Sequence, residues 1–540
     1  MIDRDNRRRS FSFLTLQEFK EVGGMIELNA AGDVVSIDGE SLSLDQIIAV
    51  ACKRAPVVLH VSGKAKLLRS RRVVERLVAD GRVVYGVTTG FGKFSDLLVS
   101  RDASDALQQN IIMSHSGGVG EPLPVEAVRA MMLLRANSLA KGYSGVRVEV
   151  VQLLLDMLNK AVHPVVPCKG SVGASGDLVP LAHIALAMIG LGEVEYQGQK
   201  LSSREGLKLA KLHPVQLTAK EGLALINGTQ YMSALGCLAV HHALRLYKAA
   251  NIAAAMTFEA LDGIPTAYDP RIQELRPHGG QKNCALMMRR LLDGSELLTR
   301  TRHKRVQDAY TLRCIPQVHG ASLDAINYVK RVLDVEINSA TDNPLILPDT
   351  GEVISGGNFH GQPLALPLDF LAMAVSELGS ISERRIERLV NPALNNGLPP
   401  FLTEEGGLNS GLMILQYTTA ALASENKVLA HPASVDSIPT SGNQEDHVSM
   451  GSIAARKAVS VIENVRWIVA GEMLAAAQAL DFTSHAIGKG SRAASRVIRE
   501  VVPHWDGDRI LYRDLEKVHG LLLDGRIIDE VEKETGELAC

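Results

Sequence analysis

The 540-residue chain is poor in the features that mark several protein classes. Aromatic residues make up only 4%, so there is little material for base-stacking platforms. The formal net charge is -3, and the basic excess usual in nucleic-acid binders is missing. The one basic cluster, "DRDNRRRS", holds Arg4, Arg7, Arg8 and Arg9 and reads as a solvated terminal tip. Six cysteines, Cys52, Cys168, Cys237, Cys284, Cys314 and Cys540, are scattered without CxxC pairs or His/Cys ligand spacing. Neither a disulfide framework nor a metal centre is indicated. The N-terminus lacks the apolar core of a signal peptide. The longest apolar run, Leu178 to Leu191, is interrupted by Pro180 and His183 and is too short for a bilayer. These absences predict a soluble, cytoplasmic protein without nucleic-acid or membrane partners.

What is present is 46% hydrophobic residues, enough for a large core. Residues 1–35 carry weak periodicity and many charges and read as an extension. "SLSLDQIIAVA" has the signature of a capped helix, with Ser43 before an acidic first turn. "RVVYGVTTGFGKF" is a strand-like run broken by glycines, which puts Tyr85 at the entrance of a loop. From about Ala103 the pattern is helical. "VEAVRAMMLLRANSLAKG" stops at Gly142, a natural C-cap, and "RVEVVQLLLDMLNKAVHP" stops before Pro164. The proline-free run from His447 to Phe482 spans roughly 36 residues, ~54 Å as one helix. "GLMILQYTTAALA" is apolar on most faces, which suits a bundle interior or a subunit interface. The expectation is a mainly α protein, loop-rich over about 36–225 and a long-helix bundle over about 226–540.

Two apparent motifs fail on inspection. "GVTTGFGK" has one residue too many for a phosphate loop and ends in Lys93-Phe94, where Ser or Thr should hold magnesium. "GFGKFS" lacks the third glycine of a dinucleotide fingerprint. "GSVGASGDLVPLAHIALAMIG", from Gly170, is more informative. One reading is a turn in which Ser175 or Asp177 caps the following helix. The other is chemical. Minimal bulk at Ala174 and Gly176 lets a backbone amide approach a carbonyl carbon. Loss of water from Ser175 then leaves an exocyclic methylidene, an electrophile that no ordinary side chain offers.

"GSVGASGDLVPLAHIA" resembles the signature of the histidine and phenylalanine ammonia-lyase family. "YGVTTGFG", "LQQNIIMSHSGGVGEPL", "EGLALINGTQ", "QDAYTLRCIPQV", "INSATDNPL", "GGNFHGQP", "LNNGLPPFL" and "SGNQEDHVSMGSIAARKA" resemble family blocks in the family order, covering roughly residues 40 to 535. The resemblance implies a 4-methylideneimidazol-5-one (MIO) group made from Ala174, Ser175 and Gly176, with no external cofactor. It implies a homotetramer with shared active sites and an amino acid substrate. Tyr85 would be the base, a role for a phenol only if its pKa falls. Arg313 would hold the substrate carboxylate, which suits a guanidinium fork. If helical, Gln307, Tyr310 and Arg313 span about 120° of one face, and Tyr310 and Gln307 would hydrogen-bond around the electrophile. Asn227 would lie near the MIO and amino group, and Phe359 beside the ring.

Ser114 and His115 fall where the family selects its ring, and Gln444 and Glu445 lie in the last block. Histidine lyases carry Ser-His, but so do some tyrosine lyases. Glu445 resembles the glutamate of histidine lyases; an anion suits an imidazole and would be costly against a phenyl ring. The resemblance therefore implies a carbon–nitrogen lyase that converts L-histidine to trans-urocanate and ammonia. Tyrosine or another aromatic amino acid, and a 2,3-aminomutase, remain alternatives, and attack through either the amine or the ring stays open. A fumarase-like lyase would need a GSSxMPxKxN-type loop, which is missing; a non-catalytic scaffold would not be expected to keep Tyr85, Ser175, Asn227, Arg313 and Glu445 together.

Overall fold

The computed structural model describes residues 34–84, 89, 104–300 and 305–540. It is 60% helical, with 19 α-helices among the described residues. The mainly α expectation holds, and the helix signals explain themselves locally. Ser43 caps Leu44–Ala51 in a reciprocal box: its Oγ accepts the Gln46 N–H at 3.3 Å, and Gln46 Oε1 accepts the Ser43 N–H at 2.9 Å. The helix Val125–Ala140 ends two residues before Gly142, whose φ of +84° turns the chain away. The helix expected from His447 runs from Gly451 to Leu480.

The chain forms two compact units, each assembled from three segments. The first comprises Met1–Leu235, Asp334–Pro363 and Val435–Ser452. Every strand among the described residues lies in it, in four small sheets of two or three strands. Its centre is Val125–Ala140, buried on all sides from Ala127 onward and packed against Leu44–Ala51 and Val148–Asn159. Such burial leaves the last carbonyls of the two neighbours short of partners. Arg129 supplies them, donating twice to Val50 O at 2.8 and 2.9 Å and once to Leu158 O at 2.9 Å.

The second unit comprises Gly236–Leu333, Leu364–Ser434 and Ile453–Cys540. Arg385 and Glu472, both fully buried, join two of its long helices. Glu472 accepts Arg385 Nε at 2.6 Å and Nη2 at 2.8 Å, Thr257 Oγ1 at 2.8 Å and Ser382 Oγ at 2.6 Å. Four donors satisfy the carboxylate, which is the condition for tolerating a buried ion pair.

One sequence expectation narrows. The helix Met413–Leu429, expected inside a bundle or interface, is not enclosed within the chain. Only Leu415, Thr419 and Asn426 are buried, and Tyr417 is 65% exposed. Among the described residues, one helix, Gln362–Val390, is long and apolar enough by length and composition to cross a membrane. That helix carries buried Arg385 in its ion pair, as a core helix would. Removing one partner of this pair strands a buried charge. Glu472→Ala is expected to cost about 3–5 kcal/mol and lower the thermal midpoint by several degrees, with Glu472→Gln less affected. An unchanged midpoint for Glu472→Ala would contradict this account of the core.

Candidate active site

The loop Gly170–Asp177 links the strand Pro167–Lys169 to the helix Leu178–Met188. Gly173 and Gly176 take left-handed conformations, with φ of +69° and +68°. At Gly176 the requirement is strict, because an added Cβ would sit 2.2 Å from Gly228 O. Gly176 and Gly228 form a parallel bridge, and the Asp177 N–H donates to Gly228 O at 2.7 Å. The backbone before one helix is thus pressed on the backbone between two others. Ser175 Oγ donates to Asn227 Oδ1 at 2.9 Å. Asn227 is fixed in turn: its Nδ2 donates to Asn343 O at 3.0 Å, and its carbonyl accepts Arg135 Nη1 at 2.8 Å.

Neither residue expected to cap Leu178–Met188 does so with its side chain. Ser175 turns to Asn227. Asp177 accepts the Met232 N–H at 3.0 Å, capping the first turn of Gln230–Ala260 instead, and accepts Ser171 Oγ at 3.2 Å. Complete burial pushes the Asp177 carboxyl up to about 7, against these hydrogen bonds.

The stretch from Ser449 to Ser452, across the start of the helix Gly451–Leu480, covers the loop. Ser452 Oγ, the Met450 N–H and Ser449 Oγ donate to the carbonyls of Ser171, Val172 and Gly173 at 2.6, 2.9 and 2.9 Å. Ser449 and Ser452 stand in the block that carries Glu445 but were not singled out from sequence. Two serines three apart, each two or more residues from the nearest charge, were the available signal.

Glu445 precedes this covering stretch. Its backbone pairs with Thr440, and its Oε2 accepts Thr440 Oγ1 at 2.6 Å. The helix Gly451–Leu480 begins six residues later, so Glu445 is not a first-turn acid. His115 ends the helix Ser104–His115, and Ser114 Oγ lies 3.1 Å from its Nδ1. Burial lowers the His115 pKa, while a backbone hydrogen bond at Ile111 and the charge of Glu445 oppose the shift. The structure therefore brings Glu445 within electrostatic reach of His115. Gln444 is exposed, and Phe359 is half-buried beside His360, whose ring stacks on His447 at 6.0 Å and 4°.

In the second unit, Tyr310–Arg313 is a short helix capped by Ala309. Gln307 precedes it in an irregular, exposed stretch, so the three residues do not form one helical stripe. Asp308 is the reason: its carboxylate accepts the Ile264 N–H at 2.6 Å and pairs with Arg305, which holds the chain out of helix there. Tyr310 is 70% exposed, and the Arg313 guanidinium lies 4.7 Å from its ring centroid. Among the described residues, Arg313 Nε is buried without a hydrogen-bond partner. Tyr85 lies outside the described residues.

The site is a small-residue loop mounted on a helix, with a serine held by an asparagine and no side-chain bulk at the neighbouring glycine. The family model "Aromatic amino acid lyase" matches residues 42–500, and the chain belongs to that family. A histidine ammonia-lyase of Caldanaerobacter subterraneus is 59% identical over 503 residues, covering 93% of this chain and 99% of that protein. One of Symbiobacterium thermophilum is 58% identical over 501 residues, covering 93% and 99%. The crystal structure of histidine ammonia-lyase from Trypanosoma cruzi superposes with a TM-score of 0.87 at 44% identity, covering 94% of this chain and 96% of that one. A tyrosine aminomutase from Streptomyces globisporus gives a TM-score of 0.90 at 38% identity, covering 94% and 100%.

The loop fits a group built from its own Ala174-Ser175-Gly176 backbone, because the three atoms nearest a Gly176 Cβ are all backbone atoms of Gly228. Gly176→Ala should be severe. The left-handed backbone alone costs about 1–2 kcal/mol, and the new Cβ meets a carbonyl that has no side-chain freedom to retreat. Loss of soluble protein or of all activity is expected; a variant with native activity and thermal midpoint would contradict the close approach.

Proposed function

We propose that this chain deaminates L-histidine to trans-urocanate and ammonia, using an MIO group formed from Ala174, Ser175 and Gly176. The observation that carries the reading is the seating of Gly176 on Gly228 with Ser175 Oγ held by Asn227. The two histidine ammonia-lyases at 58–59% identity support it. The MIO group supplies an electrophile that makes an amino group a better leaving group.

The other roles belong to the chain's own residues. Arg313 binds the substrate carboxylate, and its Nε, which has no partner among the described residues, supplies a donor that a carboxylate would satisfy. Tyr85 removes the β-proton. Tyr310 and Gln307 hydrogen-bond around the electrophile, and Asn227 acts near the MIO and amino group. His115 and Glu445 orient the imidazole with Ser114 and Gln444 beside them, and Phe359 packs against the ring. His115, held neutral by burial, presents one donor and one acceptor, while the Glu445 carboxylate accepts from a ring N–H. A phenyl ring would leave that carboxylate unpaired.

The working enzyme is proposed as a cytoplasmic homotetramer with shared active sites and no external cofactor. The exposed apolar side chains of Met413–Leu429 support an interface. A tyrosine-specific lyase or an aminomutase is the second reading, favoured by the Ser114-His115 pair and by the likeness to the tyrosine aminomutase structure; Glu445 favours histidine.

Three experiments test the proposal. Ser175→Ala should fold normally and lose about 10³-fold or more in kcat; full activity would end the MIO reading. Ultraviolet assays with histidine, tyrosine and phenylalanine side by side should show histidine turned over fastest. Glu445→Gln should lower kcat/KM for histidine about 10–100-fold with a smaller effect on tyrosine. Faster turnover of tyrosine than histidine by the unmodified protein would overturn the assignment of Glu445.

A further inference from the structure

The stretch after His115 runs through Ser116, whose Oγ donates to Met113 O at 2.8 Å, into Gly117 and Gly118, which have no side chains to anchor it. A Cβ at Gly117 would meet nothing within 4 Å. Gly118 is different. Its N–H donates to His183 Nε2 at 3.1 Å, and an added Cβ would lie 2.9 Å from that nitrogen and 3.2 Å from Pro167 Cβ. Its α-carbon in turn lies 3.3 Å from where a Gly170 Cβ would be. The next residue, Val119, pairs with Lys169 in the strand that leads into the Ser175 loop. The chain leaving His115 is therefore laid directly on the segment that carries Ser175.

His183 sits in the second turn of Leu178–Met188, the helix that begins two residues after Gly176. It rides on the same rigid element as the loop. To accept the Gly118 N–H its Nε2 must be unprotonated, with the ring proton on Nδ1; burial, which lowers its pKa, keeps it in that neutral form. An ordinary half-buried histidine would need only some partner. This one bonds the backbone of a glycine turn three residues from the proposed ring-recognition residue.

We propose that His183 is a positioning residue for ring recognition: by accepting the Gly118 N–H it fixes His115 relative to the Ser175 loop. The inference rests on the proposed role of His115. It assigns substrate selection partly to the helix behind the loop, so that the electrophile and the ring-binding group share one mount.

The test compares His183→Ala, His183→Gln, Gly118→Ala and the double variant His183→Ala/Gly118→Ala. The substrate is whichever of histidine, tyrosine and phenylalanine the unmodified protein turns over fastest. Losing one neutral hydrogen bond should raise KM about 3–10-fold with kcat nearly unchanged. Gln keeps an acceptor and should restore most of the native KM. The φ of Gly118 is not in the left-handed region, so Gly118→Ala acts only by pressing on its neighbours. It should raise KM in the native background and add little to His183→Ala, a non-additive cycle. Crystal structures of the single variants read the displacement of His115 without any assay. Unchanged KM with His115 in place would overturn the proposal. So would an equal loss in kcat that Gln does not rescue, the sign of a general packing role. If the unmodified protein turns over none of the three amino acids, the functional reading fails, and the His115 displacement alone decides for or against His183.

Discussion

The contact on which the first unit depends is backbone against backbone: Gly176 laid along Gly228, closed by the Asp177 N–H on Gly228 O at 2.7 Å. Two helix beginnings and one helix end meet there. Leu178–Met188 starts beyond Asp177, Glu221–Ile226 finishes at Asn227, and Gln230–Ala260 follows. Side chains at either glycine would separate them. An added Cβ on Gly228 would meet Gln230 Oε1, Arg135 Nη1 and Thr341 Oγ1 within 2.6 Å. The closeness that makes the loop chemically unusual is also what holds these helices in register.

Around this contact the interior is polar, and its charges are managed in pairs and by hydrogen bonds. Arg135, fully buried, bridges the Asn227 carbonyl and Gln230 Oε1 at 2.8 and 2.9 Å. Lys220 Nζ donates to Asp342 at 2.6 Å. Burial lowers both cations, with Asp342 opposing, and Arg135 at about 10 remains charged near neutrality. Asp177, pushed up to about 7, titrates where Arg135 does not. A site that must move protons and part from ammonia gains from such a frame, because dipoles already aimed need no reorganisation during the reaction.

The local grammar of the chain was legible wherever one element decides the outcome. Ser43 announces its capping box, Gly142 its helix end, and the small residues of "VGASGD" their tight turn. What escaped the sequence depends on partners far along the chain. Asp177 looks like the cap of its own helix, yet full burial sends it to Met232, 55 residues away. Gln307 has helical spacing to Tyr310 and Arg313, but Asp308 is held by Ile264 N and Arg305 and breaks the stripe. Ser449, Ser452 and His183 acquire meaning only once their acceptors and donors are known. "GLMILQYTTAALA" shows the reverse limit: its apolar faces were plain, but composition could not say whether the same chain covers them.

The proposed function turns on one claim, that Ser175 is the raw material of an electrophile. Cyclisation of the Gly176 nitrogen onto the Ala174 carbonyl releases one water, and loss of the Ser175 hydroxyl with its α-hydrogen releases a second. High-resolution mass spectrometry of the peptide spanning Gly170 to Asp177, cut from the folded protein, measures this directly. The account predicts a peptide lighter than its sequence by two waters. A peptide at full mass, with Ser175 intact in active protein, would contradict it.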